Sequence, residues 1–215
     1  MASGRIVVEA NQMTSLRTQL AGVVFAAAMT AAGQAAAVTI NFDNLADSVV
    51  VTNQYPQATF SSDPGFDVLT TSQNLGSSLP NFICTGPVGG SIDCAHSVFV
   101  DFTSAVNGLH FVATGANDTG VIGEVNVFTG GVFNNTVNIN GTGDPLTPIA
   151  IDLTGFTDVT RIEIVNITDL AGLGYDDFTF NAGIVPEPGV WAMLLLGFGA
   201  IGLAARRARR TPFAV

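Results

Sequence analysis

Alternation of apolar and polar residues is the main pattern between residues 38 and 181, where no long segment has helical periodicity. Successive side chains of a strand point to opposite faces, so this alternation predicts strands with one buried face. The predicted strands are residues 38–42, 66–69, 97–102, 108–113, 121–128, 132–139, 149–153, 159–165 and 173–180. Turn residues such as Asn107-Gly108 and Thr129-Gly130-Gly131 separate most of them, which favours an antiparallel sandwich or barrel.

The last predicted strand carries a carboxylate in an unusual place. Phe178 and Phe180 are expected to point into the core. Because side chains alternate along a strand with a period of two, Asp176 is expected on the same face as these rings. Asp177 and Tyr175 are expected on the opposite face. A carboxylate on an apolar face is costly unless it is paired or bound to a cation. Asp176 therefore either holds a cation or caps a loop at the beginning of the strand.

The N-terminal segment has the features of a secretory signal. Residues 20–32 form a short apolar run after Arg17, and Ala35-Ala36-Ala37 provide a small-residue exit. We expect a signal peptide at residues 1–37, with Met13 as an alternative start and cleavage after Ala37. The partners that such a signal requires are the Sec translocon and signal peptidase.

The C-terminal segment is predicted to enter the membrane. Residues 189–205 carry no charge, and as a helix they would extend roughly 25 Å, at the short limit for crossing a bilayer. An arginine cluster follows, and positive residues stay on the cytoplasmic side, so the preceding domain is expected to face outward. The cluster consists of Arg206, Arg207, Arg209 and Arg210.

Three features in order at this end resemble the PEP-CTERM sorting signal, also known as the ice-binding protein C-terminal domain, a name that does not imply ice binding. They are the Val185-Pro186-Glu187-Pro188 motif, the apolar helix and the arginine cluster. The resemblance implies that an exosortase, a membrane-embedded peptidase, recognises Pro186-Glu187-Pro188. It also implies that residues 182–215 anchor the protein transiently until the exosortase removes the tail within them. The domain would then reach the cell surface or matrix. The alternative is a permanent C-terminal anchor.

The segment between the two ends also resembles the cargo of exported PEP-CTERM proteins. The similar stretches are residues 40–45, 53–55 and 173–180. The resemblance implies that residues 38–181 form one all-β, antiparallel, jelly-roll-like sandwich, related in shape to carbohydrate-binding modules. The first and last strands of a jelly roll can be neighbours, which would bring Asp43 near Asp176 and Asp177 as a candidate calcium site.

The net charge of the cargo segment limits the classes of partner that it can bind. Between residues 38 and 185 there are fifteen Asp or Glu residues and a single basic residue, Arg161, which leaves a formal charge of −14. Such a surface repels phosphate backbones, so nucleic acid is excluded as a partner. The acidity serves solubility outside the cell, calcium binding, or both.

Cys84 and Cys94 are the only cysteines of the chain. Export favours a disulfide between them. In addition, residues 72–93 are rich in Gly, Ser and Pro and are expected to form a long loop without strands, which such a link would stabilise. A metal pair or a reactive thiol is the weaker alternative, because His96 is the only imidazole nearby and two cysteines with one histidine make an incomplete zinc set.

No catalytic motif is present. Gly-x-Ser-x-Gly and His-Glu-x-x-His are both absent, and without lysine there is no Walker loop. Glu124 and Glu163 lie in strand patterns that predict solvent exposure, and His110 is expected on a strand face. Two classes remain: a non-catalytic surface protein associated with exopolysaccharide, and a secreted hydrolase of extracellular polymers. Only Tyr55 and Tyr175, and no tryptophan, are available in this segment for stacking on sugars.

Overall fold

The computed structural model describes residues 37–182, 195–202 and 206. Ten antiparallel strands occupy the first of these ranges. They are β1 (Ala37–Ile40), β2 (Ala58–Ser62), β3 (Phe66–Thr71), β4 (Phe82–Pro87), β5 (Val98–Thr114), β6 (Thr119–Thr129), β7 (Val132–Thr142), β8 (Ile149–Asp152), β9 (Val159–Val165) and β10 (Gly174–Ala182). The expectation of a single all-β, antiparallel, sandwich-like domain is confirmed.

Strand β5 organises the domain, because its 17 residues pair with four other strands. Its first half lies between β2 and β9, and its second half lies between β10 and β8. One layer therefore runs β2-β5-β9-β6-β7. The other layer contains β8, β5, β10, β4 and β3, with β1 beside β10. The sheet is open rather than closed into a barrel.

An aromatic cluster joins the two layers. Phe60 on β2 and Phe178 on β10 have ring centroids 5.7 Å apart, and Phe102 on β5 lies 5.1 Å from Phe180 on β10. Phe42, which follows β1, contacts Phe60 and Phe178 edge to face. All five side chains are buried, and burying such rings contributes much of the stability of a domain of this size.

The expected neighbours β1 and β10 are confirmed, with Ile40 opposite Phe178. Two predicted strands, residues 97–102 and 108–113, are instead one continuous strand. The turn predicted at Asn107-Gly108 is wrong: Gly108 has a φ of 64° and lies within β5, beyond the register shift in its pairing with β9. Strand β2 was not predicted, and β4 lies inside the segment that was expected to be a strandless loop.

A bulge in β10 changes which side chains face the core. Asp176 pairs with Val112 and Thr179 with His110, so three residues of β10 advance against two of β5. Asp177, at a φ of 50°, is within the extra step. Tyr175 consequently shares the core side with Phe178, and Asp176 lies on the outer side. The predicted faces of Tyr175 and Asp176 were therefore wrong, whereas the burial of Phe178 and Phe180 is confirmed.

Candidate functional site

The sorting residues Val185, Pro186, Glu187 and Pro188 lie outside the described residues, as do Arg207, Arg209 and Arg210. Of the predicted membrane helix 189–205, residues 195–202 are described and are helical. Their apolar side chains include Leu195, Leu196 and Phe198, which are exposed by 65–71%. Within the described ranges, no helix is both long and apolar enough to span a membrane.

Asp176 is fully buried, although it lies on the outer side of β10, because residues 76–78 cover it. The backbone N–H of Ser78 donates to Asp176 Oδ2 at 2.9 Å, and the Ser78 hydroxyl donates to the same oxygen at 3.1 Å. Gly76 permits this approach, since a Cβ there would lie 2.8 Å from Asp176 Oδ2. Asp176 therefore caps a loop, one of the two roles that the sequence left open.

Burial sets the protonation behaviour of Asp176. Loss of solvation raises its pKa from 3.8 to about 6, and the nearby charge of Asp177 adds to this. The N–H groups of Ser78 and Asp177 oppose the shift by stabilising the ionised form. Asp176 is thus neutral in mildly acidic solution and charged at neutral pH.

The three carboxylates expected to hold calcium are engaged by protein groups, and Asp176 and Asp177 share one of these, since the Ser77 hydroxyl also lies 3.4 Å from Asp176 Oδ2. Asp43 Oδ1 accepts from the Asn81 backbone N–H at 2.9 Å, and Asp177 accepts from the Ser77 hydroxyl at 2.5 Å. Within residues 37–182, 195–202 and 206, no group of three or more His, Cys, Asp or Glu is arranged to hold a metal ion. Calcium binding through Asp43, Asp176 and Asp177 stays a prediction from the sequence.

Cys84 and Cys94 form the disulfide that the sequence predicted, with Cα atoms 4.8 Å apart. The setting differs from the expected loop, because Cys84 is a buried residue of β4 opposite Leu69 of β3. The backbone N–H of Cys94 donates to Thr85 O at 3.0 Å, and Cys94 O accepts from Leu173 just before β10. The disulfide therefore fastens the segment after β4 to the sheet.

A second candidate site is the solvent side of the layer β2-β5-β9-β6-β7, which we call the aromatic–polar face. Paired residues of neighbouring strands fall on the same side of a sheet, so the strand register defines its members. They are Phe99, Asp101, Asn126, Phe128, Phe133, Thr136, Arg161 and Glu163. The face thus combines rings, carboxylates, an amide, a hydroxyl and the one arginine of the domain.

Arg161 lies at the centre of the aromatic–polar face. Its Nη1 donates to both carboxylate oxygens of Asp101 at 2.8 and 2.7 Å, and its Nε donates to Glu163 Oε1 at 2.9 Å. The guanidinium carbon is 5.0 Å from the centre of the Phe99 ring. Partial burial alone would lower the pKa of Arg161, but hydrogen bonds and charges from Asp101 and Glu163 raise it. These contacts hold three polar groups in fixed positions.

Exposed aromatic surface on this face comes from phenylalanine, which the sequence predictions did not include. Phe133 is 53% exposed, and its ring lies 5.8 Å from that of Phe128 in an edge-to-face arrangement. The two tyrosines do not offer a comparable surface. Tyr175 is buried, and Tyr55 is half-buried with its hydroxyl donating to Asn44 at 2.7 Å.

An open depression of about 470 Å³ lies at the turn between β6 and β7. Its lining is mostly polar or small: Thr129, Gly130, Asn134, Gly155, Phe156, Thr157 and Asp158. A second depression of about 530 Å³ lies beside β3 and includes Asp47, Asp67 and Gln73. The depression at the β6–β7 turn is open and mostly polar, whereas the one beside β3 is half-enclosed and is also lined by Val50, Leu69 and Ile92. Neither is an enclosed apolar pocket of the kind that takes a small cofactor.

The residues considered for catalysis have structural partners. Glu163 binds Arg161, and Glu124 accepts from the Asn166 side chain at 2.7 Å. Both glutamates are half-buried, whereas the sequence predicted solvent exposure. His110 is exposed on β5, as expected, and His96 stacks on Phe66.

The chain carries a protein-sorting signal of exported proteins at its C-terminus. In particular, the family model of the PEP-CTERM protein-sorting motif matches residues 185–210, as the sequence predicted. No curated protein matches the chain.

Several solved structures are similar to the domain at low identity. The K2 adhesin domain of Lys-gingipain has a TM-score of 0.42 and 16% identity, covering 69% of this chain and 99% of that one. The family 35 carbohydrate-binding module from Clostridium thermocellum has a TM-score of 0.36 and 11% identity, covering 69% and 100%. TmCBM61, solved with β-1,4-galactotriose, has a TM-score of 0.36 and 18% identity, covering 59% and 88%. With TM-scores this low, these likenesses do not bear on what this chain binds.

Proposed function

We propose that the protein is a non-catalytic cell-surface or matrix protein, which an exosortase releases from a transient membrane anchor. The observation that carries this proposal is the sorting motif at residues 185–210. The exposed apolar side chains of residues 195–202 support it, because a helix of this kind is stable in lipid rather than in water. The intact mass of the surface-released protein tests this proposal. If the exosortase removes the tail, the measured mass should lack the residues that follow the motif.

We further propose that the cargo domain associates with polysaccharide through the aromatic–polar face. Sugars are recognised by a ring that packs against their C–H groups and by planar polar groups that bind their hydroxyls. Phe133 and Phe128 supply the rings, and Arg161, Asp101 and Glu163 supply polar groups held by mutual hydrogen bonds. Because the layer is open at this side, a long polymer chain has access without entering a pocket.

The charge of the domain selects the kind of polysaccharide. Residues 38–185 carry a formal charge of −14, which repels polymers rich in uronate or sulfate at the ionic strength of most media. The arginine on the face, Arg161, is already paired with two carboxylates. The proposed ligand is therefore a neutral polysaccharide.

Affinity electrophoresis in gels that contain a neutral or an acidic polysaccharide tests this proposal. The wild-type domain should be retarded by a neutral polymer and not by an acidic one. Replacement of Phe133 by Ala should weaken binding by about threefold to tenfold, the worth of one aromatic contact. Leu170→Ala is the matched control, because Leu170 is 95% exposed and is not among the residues that define the face. Equal retardation of both variants, or none of the wild type, would contradict the face as the binding site.

Hydrolysis of the polymer is the competing function. Glycoside hydrolysis needs two free carboxyl groups on either side of the scissile bond. The glutamates of this domain are engaged by Arg161 and Asn166. Reducing-sugar release from the same neutral polymers, measured for the wild type and for Glu124→Gln, separates the two functions. If the wild type releases reducing sugar and Glu124→Gln does not, the domain is a hydrolase rather than a binding protein.

A further inference from the structure

Strand β7 forms the end of its layer. It pairs with β6 along Val132–Thr142, and among the described residues no other strand is hydrogen-bonded to it, although β8 lies close to it. Register shifts occur near both ends of this pairing, but residues 135–139 pair with residues 123–127 without interruption. A central stretch of β7 therefore presents a regular row of outward backbone N–H and C=O groups.

Other strands at the margins of the sheet are short or covered. Residues 48–51 cover β3, because Ser48 N donates to Thr70 O at 2.9 Å and Val51 N donates to Val68 O at 2.8 Å. Strands β1, β2 and β8 contain only four or five residues each. Strand β7, with 11 residues, is the long margin of the described domain. Short or covered edges are the usual means by which proteins prevent pairing between chains.

The side chains of β7 lack the other usual protection. Charged residues and proline normally interrupt an exposed edge, yet no residue between Glu124 and Asp144 is charged, and none is proline. The rest of the domain carries fifteen acidic residues. Most side chains of β7 are Asn, Thr or Val, and most are exposed. The strand is thus an uncharged strip on a strongly negative surface.

We propose that β7 is a self-association edge, which pairs antiparallel with β7 of a second copy of this chain. Two copies of the same strand edge, related by a two-fold axis, can pair their free backbone N–H and C=O groups with each other, so no other partner is needed. Two domains of charge −14 repel each other over about 8 Å at physiological salt, and β7 is where they approach without opposing acids. Because each copy has one such edge, the assembly closes as a dimer with a continuous sheet.

Sedimentation velocity of the full chain in nonionic detergent tests this assembly. The wild type should show a concentration-dependent dimer. Asn138 is exposed and lies one residue from the middle of β7, so its two copies come close across a two-fold axis there. Asn138→Lys and Asn138→Glu should therefore each raise the dimer dissociation constant by at least about tenfold through repulsion between like charges.

Two controls separate repulsion from misfolding. An equimolar mixture of the Lys and Glu variants of Asn138 should recover the dimer, a result that misfolding of either variant does not produce. Val88→Lys, at a 66% exposed position just beyond β4, is the matched change of charge elsewhere on the domain. It should dimerise as the wild type does.

Three results would overturn the proposal. A wild-type chain that remains monomeric at every concentration would leave β7 to another occupant, such as an extended peptide. Dimers of unchanged strength in both Asn138 variants would place the contact elsewhere, for example in the tail helix. A mixture of the two variants that stays monomeric while Val88→Lys dimerises would show that the loss was structural rather than electrostatic.

Discussion

The backbone N–H of Ser78 donates to the carboxylate of Asp176 at 2.9 Å, across 98 residues of sequence. This bond joins a loop to the outer side of the last strand, and two further contacts hold the same loop. Thr114 donates its hydroxyl to Leu75 O, and Asn81 donates its backbone N–H to Asp43 at 2.9 Å. Residues 75–81 are thereby fixed over β10, and the burial of Asp176 follows from this cover.

We expect the stability of the domain to depend on the ionisation of Asp176. Its pKa is about 6 in the folded protein against 3.8 when exposed, so the folded state binds the proton more tightly than the unfolded state does. The contribution of this group to the free energy of unfolding is therefore largest below pH 4 and falls between pH 4 and 6. A shift of this size corresponds to a loss on the order of 3 kcal/mol.

Replacing Asp176 by Asn tests this dependence. The amide oxygen still accepts from Ser78, but the side chain does not ionise, so the decline between pH 4 and 6 should disappear in urea-unfolding measurements. Near pH 7 the variant should match or exceed the wild type in stability. Asp67→Asn, which also removes one negative charge, should keep the decline. The same slope in wild type and Asp176→Asn would show that other groups cause it.

The Cys84–Cys94 disulfide should stabilise the domain, since it closes a short loop between β4 and the segment that contacts β10. Chain entropy gives about 3 kcal/mol for a loop of this length. Reduction should lower the free energy of unfolding by roughly that amount, measured by urea unfolding with and without reductant. The Cys84→Ala, Cys94→Ala double variant is the control and should not respond to reductant. No effect of reduction on the wild type would refute the linkage.

Tyr175 is expected to tolerate the loss of its hydroxyl. Among the described residues, its buried Oη has no hydrogen-bond partner, and burial raises its pKa. An unpaired buried hydroxyl costs about 1–3 kcal/mol, so Tyr175→Phe should leave thermal stability unchanged or raise it. Tyr55→Phe is the contrasting variant, since it removes the bond to Asn44 and should destabilise slightly. A marked loss of stability in Tyr175→Phe would show that the hydroxyl has a partner.

The alternation of residues predicted most strands, and the resemblance to a jelly roll implied the adjacency of β1 and β10, but neither placed Asp176 correctly. A rule of period two assumes that no residue is inserted, and the bulge at Asp177 inserts one. Bulges depend on local backbone geometry, and although Asp is enriched among residues of positive φ, an Asp at position 177 does not by itself predict one. The predicted orientation, toward the core or away from it, was therefore wrong for the residues that precede the bulge.

The missed strand β4 and the aromatic–polar face have a related cause, since both depend on pairing with a neighbouring strand. Residues 82–87 contain Pro87, Gly86 and Cys84, which have no strand pattern by themselves and form a strand because β3 pairs with them. Phenylalanine is a residue type that is usually buried, so its identity alone did not single out Phe133. Phe133 is exposed because β7 is the margin of its layer, a property of the topology that composition does not encode.

The C-terminal segment is expected to be a transient anchor that is cut near Pro186-Glu187-Pro188. Two prolines keep the motif extended, so it can enter a peptidase cleft without prior unfolding, and Glu187 offers a single charge for recognition. Glu187→Ala should leave signal-peptide removal intact and block the second cut. Protein that has lost the signal peptide but keeps the C-terminal tail should then accumulate in the inner membrane with its folded domain outward.

The control for this variant removes one acidic side chain far from the motif. Asp144→Ala does so at an exposed turn after β7, and this variant should be cut and released as the wild type is. Equal release of the Glu187 and Asp144 variants would show that the acidic residue of the motif is not recognised. The intact mass of surface-released wild type decides between a transient and a permanent anchor, because a mass that still includes Trp191 and the arginines would identify a tail that is never removed.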